Sequence, residues 1–354
     1  MSGHEHPAVA RLRERVRDAA TRSQPLHIRA GGTKDFYGNP TRGQPLDPRD
    51  CSGIVDYAPT ELVVTVRGGT PLVVLEAALD ECQQVLPFEP PHFGPGATVG
   101  GAIAAGLAGP RRVAAGPVRD FILGASMIDG RGELLSFGGR VMKNVAGYDM
   151  SRALAGSLGT LGVLVDVSLK VLPRPVTERT LAFDVDEATA IKQMNEWGGE
   201  PLPISASAWV GGELRIRLSG ARTAIEAAQS RLGGHAVDDA ASWWNDLREQ
   251  RHPFFAGDDV LWRLAVPPTT PPLELGATLI EWHGGQRWLR ARHAPPSIRA
   301  LVGALGGHAT RFRGGDAQVP VFQPLEPAVA RINTRLKAEF DPAGIFNPGK
   351  MVPQ

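Results

Sequence analysis

Residues 141–163 read VMKNVAGYDMSRALAGSLGTLGV, and the reading of this stretch decides the fold. A lysine, an asparagine and a tyrosine stand beside a run of glycines at 147, 156, 159 and 162. Glycine takes positive φ without strain and lets a ligand lie on the backbone where a Cβ would obstruct it. Lys143, Asn144 and Tyr148 offer such a ligand polar and planar contacts. Two readings follow from the segment alone: one wall of a nucleotide cradle, or a glycine-interrupted helix and turn leading into a strand at 163–171. Its surroundings choose between them.

Working upstream, residues 121–128 and 133–137 form a hairpin around Asp129-Gly130-Arg131-Gly132. Residues 88–112 are too rich in Gly and Pro for a regular element until a small-residue helix near 99–107. Strands at 54–57 and 62–66 precede a helix at 71–81 with Pro71 in its first turn. Strands alternating with helices argue for an α/β unit. Nearest the N-terminus, an amphipathic helix at 7–20 leads to a short strand at 26–30, which opens into Gly31-Gly32-Thr33-Lys34-Asp35. A strand running into consecutive glycines presents free N–H groups suited to a pyrophosphate, although an ordinary Gly-Gly turn has the same sequence.

Downstream, a strand at 163–172 closes this region, and Pro173 and Pro175 mark a boundary. Beyond it lies an internal repeat. Trp209-Val210-Gly211-Gly212 returns as Trp282-His283-Gly284-Gly285, and Leu232-Gly233-Gly234-His235-Ala236 returns, at the same offset, as Leu305-Gly306-Gly307-His308-Ala309. Each copy reads as a strand (179–185 or 259–266), a Gly-Gly hairpin, a helix (221–232 or 296–305) and a short strand; only the first has a helix at 187–197 before its hairpin. Each approximates a split βαβ unit, and the two together predict one antiparallel sheet with helices on one face, forming a lid. A helix at 327–340 and the stretch DPAGIFNPGKM at 341–351 then return to the first part. The organisation is therefore 1–173, 174–320 and 321–354.

Composition narrows the function. Lys+Arg 38 against Asp+Glu 37 leaves a formal net charge of +1, which does not suit a nucleic-acid surface. Two cysteines, Cys51 and Cys82, fit a reducing compartment and provide neither a disulfide scaffold nor a cysteine-ligated cluster. No signal pattern or bilayer-length apolar run is present, so the expected location is cytoplasmic. Residues 94–101, GPGATVGG, have the wrong spacing for a Rossmann fingerprint. Gly344 to Lys350 has P-loop spacing, but Met351 stands where Ser or Thr is needed. The nine histidines show no ligand spacing, and no metal site is expected. His235 and His308 are read as turn residues, and Trp243 and Trp244 as packing against the lid.

Together, segments 28–35, 95–106, 117–163 and 341–351 resemble the FAD-binding domain of the vanillyl-alcohol oxidase and p-cresol methylhydroxylase type. KNVAGYD at 143–149, GSLGTLGV at 156–163 and NPGKM at 347–351 resemble more closely the FAD-linked subunits of bacterial glycolate oxidase, and length and lid resemble the smaller FAD-binding subunit. The resemblance implies an α+β fold: a two-part FAD-binding domain of the p-cresol methylhydroxylase type with an antiparallel-sheet cap of two ferredoxin-like repeats. It implies that Gly31, Gly32, Thr33, Lys34 and Asp35, with Ala30, hold the pyrophosphate. Val99, Gly100 and Gly101, flanked by Pro95, Thr98 and Gly106, line the adenosine half with the turn at Gly116. Asn144, Tyr148, Gly159, Gly162 and Val163 lie along the cofactor, and Asn347 and Lys350 approach the flavin. Families that attach FAD covalently often carry a histidine where Thr33 stands, so the FAD is expected to be non-covalent.

The resemblance implies a subunit of a complex that oxidises glycolate to glyoxylate, beside a larger FAD-linked subunit and an iron–sulfur subunit, touching a membrane only through its partners. The alternatives are a self-sufficient FAD-dependent D-2-hydroxyacid dehydrogenase and a non-catalytic assembly subunit. The histidine-rich C-terminal segment that related subunits use for substrate oxidation has no counterpart here. Oxidising a 2-hydroxyacid needs a base for the hydroxyl proton and a cation for the carboxylate. Arg111, Arg112, Arg311 and Arg313 are candidates for the cation or are plain surface residues, and the sequence names no catalytic base.

Overall fold

The computed structural model describes residues 6–139, 149–291 and 295–353. Its first helix, α1 (Pro7–Thr21), buries Ala8, Val9, Leu12, Val16 and Ala19 on one stripe, and His6 caps it by accepting from the Ala8 N–H. There follow β1 (Leu26–Ile28), β2 (Gln44–Leu46), β3 (Ile54–Ala58), β4 (Val63–Arg67), α2 (Leu72–Glu81), β5 (Gln84–Val85), α3 (Val99–Ala105), α4 (Arg112–Ala115), β6 (Ile122–Ile128), β7 (Leu134–Gly138), β8 (Val163–Lys170) and β9 (Leu172–Pro173). An antiparallel sheet runs in the order β3-β4-β8-β6-β7. Alternation in β8 puts Val163, Val165, Val167 and Leu169 on one face. The first two join the cluster under α1, and the last two join the cluster with α2 and α3.

The remaining elements are β10 (Thr177–Asp184), α5 (Glu187–Gly198), β11 (Ile204–Val210), β12 (Glu213–Gly220), α6 (Arg222–Leu232), β13 (His235–Val237), α7 (Ala240–Arg248), β14 (Leu261–Ala265), β15 (Thr278–Glu281), β16 (Gln286–Arg290), α8 (Pro295–Ala304), β17 (His308–Arg313) and α9 (Pro327–Phe340). Their eight-stranded sheet runs β13-β10-β12-β11-β15-β16-β14-β17, its halves joined where β11 pairs with β15. Numbered within each half, both follow the order 4-1-3-2. One face packs on α5, α6 and α8. The opposite face, with Ala206, Ala208, Trp288 and Phe312, packs on Tyr37, Ala105 and Leu107 of the first region.

Several boundaries differ from those expected. The strand expected at 26–30 ends at Ile28, before the glycine loop. Pro71 is the N-cap of α2, not part of its first turn. Gly106 turns left-handed at φ +63° and ends α3 at Ala105. The strand expected at 163–172 divides into β8 and β9. His235 and His308 open strands and are not turn residues. The two Gly-Gly hairpins also differ: Gly211-Gly212 alone link β11 to β12, whereas residues 282–285 link β15 to β16. Trp282 and His283 take φ of 55° and 54° in that longer turn, where Ser207 Oγ accepts from the His283 N–H at 3.0 Å. Trp244 does pack on the sheet, its Nε1 donating to Thr180 Oγ1 at 2.9 Å.

Candidate functional site: a glycine-walled cleft

The loop after β1 leaves the sheet between two backbones. A Cβ on Gly31 would stand 1.5 Å from the carbonyl oxygen of Gly96, so only glycine fits. Gly32 takes φ +70°, and its carbonyl accepts from the Asp35 N–H at 3.1 Å, closing the loop. The N–H groups of residues 30–34 have no acceptor among the described residues. A run of such groups facing one space is an anion cradle.

Opposite stands the start of α3, where Thr98 Oγ1 accepts from the Gly101 N–H at 3.2 Å and Gly100 donates to Gly68 O at 2.7 Å. The third wall is held to α3 by Gly156 and Leu158, which donate to Ile103 O at 3.1 Å and Ala104 O at 2.8 Å. Asn347 fastens the walls together: its Oδ1 accepts from the Ile28 N–H at 2.7 Å, and its Nδ2 donates to Leu158 O at 2.7 Å. Lys350 reaches the first loop, donating from Nζ to Asp35 O at 3.1 Å.

These walls enclose a cleft of about 140 Å³. Ala30, Gly31, Gly32, Thr33, Lys34, Asp35, Thr98, Gly100, Gly101, Gly159, Gly162, Val163, Asn347 and Lys350 all line it. Four other sequence candidates do not. Pro95 is off the lining, Val99 is buried in the core, Gly106 ends α3 and Gly116 ends α4. Asn144 and Tyr148, with Lys143, fall outside the described residues. His27, Tyr37, Gly68, Gly96 and Leu158 line the cleft and were not anticipated. Gly68-Gly69 directly after β4 repeats the signal given by Gly31-Gly32 after β1, whereas nothing local singles out Tyr37.

Two lysines bring positive charge to the cleft. Burial pushes Lys34 down to about 8 against the pull of Glu249, and its Nζ meets His92 O at 3.2 Å, Thr33 Oγ1 at 3.4 Å and the Phe93 ring. Burial likewise lowers Lys350, opposed by Asp35, whose carboxylate is paired with Arg29 at 2.6 Å. Neither lysine has an ion-pair partner among the described residues. Of the candidate arginines, Arg111 pairs with Glu89 and Glu178. Arg311 donates to the carbonyls of Gly314 and Val319, and Arg313 donates to Gln250 Oε1. Of these four, only the side chain of Arg112 makes no hydrogen bond or ion pair among the described residues, and its guanidinium lies over the Trp282 ring.

Residues 8–138 match the FAD binding domain family. Over 341 residues, 96% of each chain, the protein is 48% identical to glycolate oxidase subunit GlcE of Escherichia coli (strain K12). The chain belongs to the GlcE family. More distant relatives of this GlcE-family chain include glycolate oxidase subunit GlcD of Bacillus subtilis, 31% identical over 44% of the chain and 34% of its own length. A D-lactate dehydrogenase of Archaeoglobus fulgidus is 27% identical over 94% of the chain and 87% of its own length. Among solved structures, an alkyldihydroxyacetonephosphate synthase superposes over 95% of the chain and 74% of its own with a TM-score of 0.66 at 14% identity, a likeness of fold. The chain is thus an FAD-dependent oxidoreductase-family protein with FAD as its cofactor. The cleft fits that group: glycine walls packed backbone against backbone, free N–H groups and ammonium groups without ion pairs among the described residues suit a dinucleotide's pyrophosphate.

Proposed function

We propose that this chain is the FAD-binding subunit of a complex that oxidises glycolate to glyoxylate, holding its FAD non-covalently in the glycine-walled cleft. The observation that carries the reading is the run of free N–H groups at residues 30–34 beside the half-buried Lys34 and the buried Lys350, neither in an ion pair among the described residues. In this reading the 30–35 loop and Lys34 hold the pyrophosphate, Thr98, Gly100 and Gly101 the adenosine side, and Gly159, Gly162 and Val163 the wall beneath. Asn347 keeps the walls in register, and Lys350 adds positive charge from the C-terminal return. Asn144 and Tyr148 belong to the same proposal. Bound flavin would supply hydride acceptance and onward electron transfer, and the protein its binding, orientation and electrostatics.

Residues 1–173 with 321–354 form the cofactor-holding part, and 174–320 a cap of two ferredoxin-like repeats; the 4-1-3-2 order in both halves supports this. A larger FAD-linked subunit and an iron–sulfur subunit are the proposed partners. The proposed location is the cytoplasm, at the membrane only through them; no helix among the described residues is long and apolar enough to cross a bilayer.

The test is purification followed by acid precipitation. Flavin absorbance in the supernatant and a colourless pellet are expected, and a yellow pellet refutes non-covalent binding. Anaerobic glycolate should bleach the flavin band when the partner subunits are present, and absence of bleaching in the assembled complex refutes the substrate.

A further inference from the structure

A second cavity, of about 20 Å³, lies between the inner face of the eight-stranded sheet and the Gly109-Pro110 turn of the first region. Phe93, Leu107, Trp288 and Phe312 make its walls largely apolar, and Arg263 and Glu281 face into it. Trp288 Nε1 at 2.6 Å and Gln286 Nε2 at 2.9 Å both donate to Oε2 of the buried Glu281. Burial pushes this carboxyl up to about 7, against those hydrogen bonds and the Arg263 charge. Arg263 is linked to the acid through Gln286, whose Oε1 accepts from Arg263 Nε at 2.6 Å. No ion pair closes between Arg263 and Glu281 among the described residues. Acid and cation therefore share a cavity without meeting.

Positive charge gathers beside them. The guanidinium of Arg112 stands 4.3 Å and that of Arg263 5.2 Å from the centroid of one indole, Trp282. Burial and the neighbouring Arg263 both lower the Arg112 pKa. The other charged groups nearby are already committed: Arg248 to Glu249 at 2.9 Å, and Glu89 to Arg111 and Arg217. Two guanidinium groups on one ring without an acid between them favour an anion, which a guanidinium binds through its fork of N–H donors. Tyr37 lines the cleft, and its hydroxyl faces Arg263.

We propose that this cavity receives the polar head of a small 2-hydroxyacid, its carboxylate on the terminal nitrogens of Arg263 and its 2-hydroxyl donating to Glu281 Oε1. Arg112 adds charge at longer range. A carboxylate lacking the hydroxyl would satisfy Arg263 and leave Glu281 Oε1 without a donor. The choice of ligand class rests on the function proposed above, and the anion site rests on the cavity.

The test titrates the purified full-length chain with glycolate and with acetate, reading tryptophan fluorescence from Trp282 and Trp288 and the melting temperature. Glycolate is expected to bind at least tenfold more tightly than acetate. Arg263→Gln should weaken glycolate tenfold or more, Arg112→Gln a few-fold, and Glu281→Gln should bring glycolate within twofold of acetate. Circular dichroism certifies each variant's fold, and if Arg263→Gln does not fold, Arg112→Gln and Glu281→Gln decide. Equal binding of the two acids by the unsubstituted chain, or unchanged glycolate affinity in every folded variant, overturns the proposal. Selective glycolate binding by a chain that takes up no added FAD would support this site while refuting the proposed FAD cleft, and FAD uptake without selective binding would do the reverse.

Discussion

The cleft at Gly31 is walled by main chain, and the cavity at Glu281 by side chains. In the first, the ligand-facing groups are N–H donors, and specificity for glycine comes from the approach of one backbone to another, as at Gly31 and Gly96. In the second, Arg263 and Glu281 come from β14 and β15, Arg248 comes from α7, Arg112 of α4 stands beside them, and the sheet pairing decides what the two strand residues meet. A backbone cradle suits a group common to many ligands, such as a pyrophosphate. Selecting among small acids requires side chains of particular chemistry, placed where the two regions meet.

The comparison breaks most sharply at Gly31. Gly31→Ala puts a methyl group into the Gly96 carbonyl, where backbone must move, and a loss of about 3 kcal/mol or more is expected. Denaturant unfolding and flavin retention measure it, and a variant that keeps both stability and flavin shows that the approach is not rigid. Next is Asn347→Ala, which leaves the Ile28 N–H and the Leu158 carbonyl without partners at the cleft floor. About 2–4 kcal/mol should be lost. A change below about 0.5 kcal/mol would mean that the three walls hold one another without it.

The smallest effect belongs to Lys34, where side-chain charge enters the backbone cradle. Half-buried and in no ion pair among the described residues, it is pushed down to about 8 by burial against the pull of Glu249. An anion beside it favours the charged form and raises that value, so anionic cofactor binding takes up a proton above pH 8. FAD affinity should be full below pH 8 and fall as pH rises through it. Lys34→Met should weaken FAD about tenfold at pH 7, equivalent to about 1.4 kcal/mol. It should also flatten the fall above pH 8; an equally steep fall in the variant assigns the proton to another group.

Much of the cleft's frame was legible because its signals are local. Gly31-Gly32 after a strand, Gly159 and Gly162 before β8, and the Asn-Pro-Gly-Lys run at 347–350 each announce a tight backbone in a few residues. The repeat was legible for a different reason: the same Trp-x-Gly-Gly and Leu-Gly-Gly-His words recur at one offset. Pro95, Val99, Gly106 and Gly116 lie off the cleft lining. Glycines and their neighbours also end helices and fill cores, and the sequence pattern is the same in either use.

The sequence alone determined where the chain turns, which stripes are apolar, and that acidic and basic residues nearly cancel, since these depend on each residue and its close neighbours. Tertiary structure alone decided that Asn347 would tie β1 to the Leu158 loop, that Tyr37 would line the cleft with its hydroxyl facing Arg263, and that Arg112 and Arg263 would share one indole. Those partners are far apart along the chain, and sheet register together with the packing of two regions brings them into contact. Glu281 is the clearest case: an ordinary acid at the end of an apolar strand in the sequence, it becomes a buried carboxyl beside an arginine once β15 is placed against β16 and the first region closes over that face.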